Sequence, residues 1–244
     1  MFAGAAILKD GEVEYRDPDF PTCKLMVMPK SDIEVEDSWH STGLRGTGSA
    51  HFNGQEIFVP EHRTIPFPVS EPQRGGALFR LPVLGFFGPG FSGFPQGVGR
   101  RALDEFARFA KRKTRLGHQG PIAEREVVQR ELGQAHAALS GAGLWVREEL
   151  TRLWDDLHGD VEASALSTAR RLASFSQSAD AASQAVDCAY RYAGGDALFS
   201  SSPFQQLLRD MRTAAQHILL SEANYEAFGK ALLEQVPEND AAEA

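Results

Sequence analysis

The sequence predicts an α+β protein: antiparallel β-structure followed by an up-down four-helix bundle. Three observations carry this. Apolar runs in residues 1–95 are short and end at turn residues. From Gly97 onward apolar residues recur at helical spacing. Most of the prolines lie before residue 96.

Taken in order, Phe2–Leu8, Lys24–Met28, Ile33–Val35 and Glu56–Val59 are strand-length. They are punctuated by Lys9-Asp10-Gly11, Asp17-Pro18, Pro29-Lys30 and Asn53-Gly54. Asn53-Gly54 suits a type I′ turn, which needs positive φ at both central residues, and so predicts a hairpin joining His51-Phe52 to Ile57-Phe58-Val59. Four or five antiparallel strands fill residues 1–75. Residues 76–96, rich in Gly, Pro, Phe and Leu, form an apolar connector that packs against the fold and turns helical before Gly97. The bundle occupies 97–236. Val98, Ala102, Leu103, Phe106, Phe109 and Ala110 share one helical face, and Gly117 and Gly120-Pro121 separate that helix from the next. Val128, Leu132, Ala135, Leu139, Ala142, Val146, Leu150 and Leu153 mark the second helix, and His158-Gly159-Asp160 the turn after it. Leu166, Ala169, Ala173, Ser176, Ala179, Ala182, Val186, Ala189 and Ala193 mark the third, whose small residues allow a neighbouring helix to come close. Gly194-Gly195 breaks it. A fourth helical stretch runs from about Pro203 to Leu233, and 237–244 is a disordered acidic tail.

Lys plus Arg number 25 and Asp plus Glu 33 in 244 residues, a formal charge of −8. That balance argues against a nucleic-acid partner, which calls for a basic face. No apolar run reaches the roughly 18 residues of a membrane span, and no basic region precedes the short apolar stretch at the N-terminus. Cys23 and Cys188 are the only cysteines, too few for a disulfide framework or a cysteine zinc site. A reducing, cytoplasmic setting fits. There is no phosphate-binding Walker loop, zinc-protease motif or nucleophile elbow, and Gly46-Thr47-Gly48 lacks what a Rossmann fingerprint requires. From the residues alone, His217 is a helix-surface histidine and Arg209-Asp210 a salt-bridging pair.

Four segments together carry a family likeness. Trp39-His40-Ser41-Thr42-Gly43-Leu44-Arg45-Gly46-Thr47-Gly48-Ser49, followed by Phe58-Val59-Pro60, resembles the middle β-domain signature of the acyl-CoA dehydrogenase superfamily. Arg115-Leu116-Gly117 with Ile122 and Val128-Gln129 resembles the stretch that opens that family's C-terminal bundle. Ala193-Gly194-Gly195-Asp196 and Arg209-Asp210 resemble two later segments. The resemblance implies a flavin cofactor, FAD or FMN. Arg115 would contact its phosphate or ribose, and Gly194 and Gly195 would let the backbone approach the cofactor of a neighbouring subunit. Arg45 and Ser49 would lie near its adenine or the substrate end. It also implies a homotetramer, and a partial β domain with the family's N-terminal helical domain absent. The chain alone is therefore expected to bind flavin weakly and to behave poorly as a monomer.

The dehydrogenases of this family place a glutamate base about two turns after the Arg-Asp pair. Here that place reads Gln216-His217-Ile218-Leu219, and the next Glu is Glu222. Leu116 replaces the usual Phe, and Arg125-Glu126 the usual Phe-Gln. The arrangement is similar to the flavin-dependent monooxygenases of the same fold, in which reduced flavin from a separate reductase activates O₂ for a small aromatic or heteroaromatic substrate. His217 is the candidate proton-handling residue, because its pKa lies near working pH. The alternatives are an acyl-CoA dehydrogenase acting on thioesters and a non-catalytic remnant or scaffold subunit.

Overall fold

The computed structural model describes residues 2–236, apart from 7, 10, 11, 14, 18, 19, 22, 68–74 and 82. The expected tail at 237–244 lies outside the described residues. The chain divides into two compact units. One comprises Met1–His40 and Arg45–Phe86, the other Ser41–Leu44 and Phe87–Ala244.

The first unit holds β1 (Phe2–Ala6), β2 (Leu8–Lys9), β3 (Glu12–Val13), β4 (Tyr15–Asp17), β5 (Phe20–Pro21), β6 (Cys23–Val27), β7 (Glu34–Val35), β8 (Phe52–Asn53) and β9 (Thr64–Phe67). Every described pairing is antiparallel. β6 is the middle strand of a sheet ordered β1-β6-β9, with Phe2 opposite Val27 and Met26 opposite Thr64.

Two expectations are corrected here. The Asn53-Gly54 hairpin does not form: β8 pairs instead with β7, Val35 opposite Phe52. Glu56 adopts a left-handed φ of 50°, which breaks the extended run expected at 56–59. Conversely, β9 arises inside a proline-rich stretch. It is an edge strand, so Pro66, opposite Lys24, can sit there without costing the sheet a central hydrogen bond.

The helices are α1 (Val83–Ala110), α2 (Glu126–His158), α3 (Ala165–Ala193), α4 (Pro203–Ala214) and α5 (Ala223–Leu233). α3 is the hub, packing against α2, α4 and α5. It is buried on most sides through Ala169, Ala173, Ala179, Ala182, Ala185 and Ala189, whose small side chains let three neighbours approach at once. Of the predicted α2 stripe, Val128, Ala135, Leu139, Ala142, Val146 and Leu153 are buried, and Leu132 and Leu150 are half-buried against the core. On α1, Ala102, Leu103, Phe106 and Ala110 complete the core. Ser164 caps α3 by accepting the Ser167 N–H at 3.1 Å.

Two further differences concern the helices. α1 begins at Val83, within the 76–96 stretch read as a connector, and carries Pro89 and Pro95 in its interior. A helical proline normally costs about 3 kcal/mol; here Pro95 is buried and Gly88 and Gly99 lie in tight contact with α3, so tertiary packing overrides local propensity. The fourth helical stretch is two helices. It breaks at Ala215–Glu222, where His217 takes extended φ/ψ and caps a short 3₁₀ turn, Ile218–Leu220.

Candidate functional site

α1 ends at Ala110, and the loop that follows is closed by two contacts. The Ile122 N–H donates to the Lys113 carbonyl at 2.8 Å, and Thr114 bridges to Pro121. Gly117 and Gly120, with φ of 81° and 77°, make the reversals that closure requires. The loop therefore presents Arg115 beside the end of α3, where Gly194 terminates the helix at φ 63°. Together these segments enclose a cleft of about 610 Å³, lined among others by Arg115, Arg125, Arg191, Gly194 and Gly195. The structure thus brings together Arg115, Gly194 and Gly195, which lie far apart in sequence.

The cleft is cationic. Lys113 is neutralised by Asp196, Nζ to Oδ2 at 2.7 Å. Arg115, Arg125 and Arg191 have no ion pair among the described residues. A Cβ on Gly194 or Gly195 would meet no atom within 4 Å, so the backbone there is open to a close-lying group. Three guanidiniums around open backbone suit an anion with several oxygens, such as phosphate. Sequence reasoning missed two of them. Arg125 was noted only as a departure from a pattern, and Arg191 went unremarked, although it lies one helical turn before Gly194 on the segment already singled out.

His217 does not line this cleft. It sits half-buried at the α4–α5 break. Its Nδ1 accepts the Leu219 N–H at 3.2 Å, and its ring stacks on Phe91 of α1 with centroids 3.9 Å apart and planes at 23°. Burial lowers its pKa from the ordinary value of 6.5. Burial thus favours the neutral form of the imidazole. With Nδ1 accepting, its proton resides on Nε2. Glu222, the nearest following carboxylate in sequence, is exposed where α5 begins.

Arg209-Asp210 fastens the loop at 41–44 rather than forming a salt bridge with itself. Asp210 Oδ1 accepts the Leu44 N–H at 2.7 Å, and Ser41 Oγ donates to the Gly43 carbonyl at 2.7 Å. A Cβ on Gly43 would lie 2.1 Å from the Arg209 carbonyl oxygen, so only glycine fits. Arg45 and Ser49 belong to the other unit. Both are exposed, and Arg45 opens a short 3₁₀ turn, Arg45–Thr47. Among the described residues, no helix is long and apolar enough to cross a membrane, and no group of three His, Cys, Asp or Glu could hold a metal.

Residues 90–222 match the family model described as acyl-CoA dehydrogenase, C-terminal domain. The chain is 28% identical over 207 residues to the indole-3-acetate monooxygenase of Pseudomonas putida, a match covering 84% of this chain and 53% of that protein. It is 29% identical over 227 residues to the FADH2-dependent resorcinol hydroxylase, oxygenase component, of Rhizobium sp., covering 86% and 54%. XiaF from Streptomyces sp., solved in complex with FADH2 and glycerol, superposes with a TM-score of 0.81 at 24% identity over 94% of this chain and 58% of that one. At that identity the likeness establishes the fold. The chain spans about half the length of the curated relatives it matches.

Proposed function

The chain belongs to the acyl-CoA dehydrogenase family, through the C-terminal domain of that family, and on this premise we propose that it serves a two-component flavin-dependent monooxygenase. The substrate is a small aromatic or heteroaromatic molecule. A separate reductase supplies the reduced flavin, and the working assembly is a homotetramer. The observation that carries this reading is His217: an imidazole occupies the break between α4 and α5, where a dehydrogenase of this family would place a carboxylate base. The names of the relatives point the same way.

The cationic cleft fits a flavin's phosphate end. Arg115, Arg125 and Arg191 would pair with phosphate oxygens, and the open backbone at Gly194 and Gly195 would admit the adjoining nucleotide. Three guanidiniums suit the linked phosphates of FAD better than the single phosphate of FMN. Bound reduced flavin supplies the electrons that activate dioxygen. The chain's own part is to bind, to exclude water and to hold a proton. His217 presents an Nε2–H to the reacting oxygen, and Phe91 covers one face of the ring against solvent. Arg45 and Ser49 are assigned to the adenine or substrate end.

The test is a reductase-coupled assay with NADH, FAD and a panel of indoles, phenols and acyl-CoA thioesters under isotope-labelled dioxygen. Label appearing in an aromatic product supports the reading. Oxygen-independent desaturation of a thioester, with no labelled product, overturns it in favour of a dehydrogenase.

A further inference from the structure

Phe91 is half-buried in the Gly- and Pro-rich first part of α1, and its ring stacks on the imidazole of His217. The two rings are brought together by the same turn of α3. On one side of that turn, Phe175 packs so closely on Gly88 that a Cβ there would lie 2.5 Å from the ring. Ser178 Oγ donates to the Ser92 carbonyl at 3.0 Å, and Gln96 Nε2 donates to Ser178 Oγ at 3.0 Å. On the other side, Ser176 Oγ donates to the Ser221 carbonyl at 2.8 Å. It also accepts from Asn224 Nδ2 at 2.9 Å, and the same amide donates to the Leu219 carbonyl at 3.2 Å. Phe175, Ser176 and Ser178 are all buried. Buried hydroxyls are tolerated in a core when each finds a partner, and these find theirs in the two segments that carry Phe91 and His217.

We infer that Phe91 is the positioning residue of His217: the ring stack and the Leu219 amide together lock the imidazole so that it meets a ligand through Nε2 alone. The inference rests on the reading of His217 as the proton-handling residue. The stack prevents rotation about the Cβ–Cγ bond, and the amide occupies Nδ1, so a single edge remains for chemistry. No charge is called on to do this. α1 carries no charged residue from Phe87 to Gly99. On α4, Arg209 belongs to the turn fastened to Gly43, Asp210 holds the Leu44 amide, and Arg212 pairs with Asp187 of α3 at 2.6 Å. Asp180 of α3 accepts from the Tyr225 hydroxyl of α5 at 2.7 Å, and Glu222 and Glu226 are exposed.

The test is two-bond proton–nitrogen correlation on the full chain with nitrogen-labelled histidine. The His217 signals are identified from the spectrum that loses them in His217→Gln. In the wild type, His217 should show the Nε2–H tautomer, and its carbon-bound ring protons should be shifted upfield by Phe91. In Phe91→Leu, checked for folding by circular dichroism, the upfield shift should vanish and both tautomers should appear. The proton affinity should rise at least about threefold, half a pH unit in the titration midpoint. Phe91→Tyr should restore the wild-type spectrum. An unchanged tautomer and midpoint in Phe91→Leu would overturn the inference. So would a wild-type His217 found as the Nδ1–H form or as an average, which decides the matter even if the variant does not fold. A locked imidazole in a chain that transfers no oxygen would count against the proposed function alone.

Discussion

At the residue scale, a histidine whose Nδ1 is engaged by a backbone amide has one nitrogen left for chemistry. Substituting His217 by Ala should leave the helical core intact, since the ring is half-buried at a helix break rather than within the core. It should lower product formation by about 10²–10⁴ in the reductase-coupled assay, the usual weight of one proton-transfer group, with peroxide release rising in its place. Retention of the wild-type rate with no added peroxide would make the residue structural. The lowered pKa of His217 also has a sign that can be checked. The folded state binds this proton less tightly than the unfolded chain, so the contribution to stability is full above about pH 6.5 and is lost as pH falls through the lower folded value. Between pH 7.5 and 5, the wild type should lose more melting temperature than His217→Gln; a steeper loss in the variant would contradict this. Gly43→Ala is the complementary case, because the clash is with a backbone carbonyl that cannot rotate away. It should cost about 1–3 kcal/mol, read as a lower melting temperature. Cleft residues Arg115, Gly194 and Gly195 were legible because they recur in recognisable segments. Arg125 and Arg191 were not, because an arginine at or near a helix end is usually just solvated, and only the fold shows that these two face the same opening.

At the scale of elements, the long amphipathic helices were legible and their interruptions were not. The apolar stripe of α2 follows directly from burying one side of a helix: six of the eight periodic residues read from sequence are buried, Leu132 and Leu150 are half-buried, and the unread Glu149 is buried beside them. The break between α4 and α5 left no mark, because apolar residues continue through Ala214, Ala215, Ile218 and Leu219 at nearly helical spacing. It is produced by competition from side chains, the His217 imidazole taking the Leu219 amide and Asn224 taking the Leu219 carbonyl. A turn to helix before Gly97 was legible, but its start as early as Val83 was not, because Gly and Pro argue against a helix that packing against α3 enforces. The hairpin at Asn53-Gly54 failed because β8 found a more distant partner, which no local rule can reveal. If Asn224 tethers the break, Asn224→Ala should loosen it. Losing two hydrogen bonds at roughly 0.5–1.5 kcal/mol each should lower the melting temperature and speed amide exchange at Leu219 and Ser221. Protection unchanged at those two amides would show that the turn is held by apolar packing of Leu219 and Leu220 instead.

At the scale of the whole molecule, the two units differ sharply in what holds them together. The helical unit has a continuous core running from Phe106 and Leu139 through Phe175 and Val186 to Phe204 and Met211. In the β unit, Met28 is the only buried hydrophobic side chain among those described, while Val27, Val35, Phe52, Phe58 and Ile65 are exposed. At about 25 cal/mol per Å² of apolar surface removed from water, the described side chains give the helical unit a large driving force for cooperative folding and the β unit a small one. Strand pairings of two residues, as in β2–β3 and β7–β8, add little, since short isolated ladders are marginal in water. The two units should therefore lose structure separately. Native-state hydrogen exchange on the chain should find the slowest amides in α2 and α3, opening only with global unfolding. Amides of β1, β6 and β9 should exchange through local opening at much lower free energy. In a thermal scan, the β signal in circular dichroism should fade before the main helical transition. A single transition in which strand and helix amides are equally protected would refute this, and would mean that the β unit draws its stability from burial beyond its own described residues.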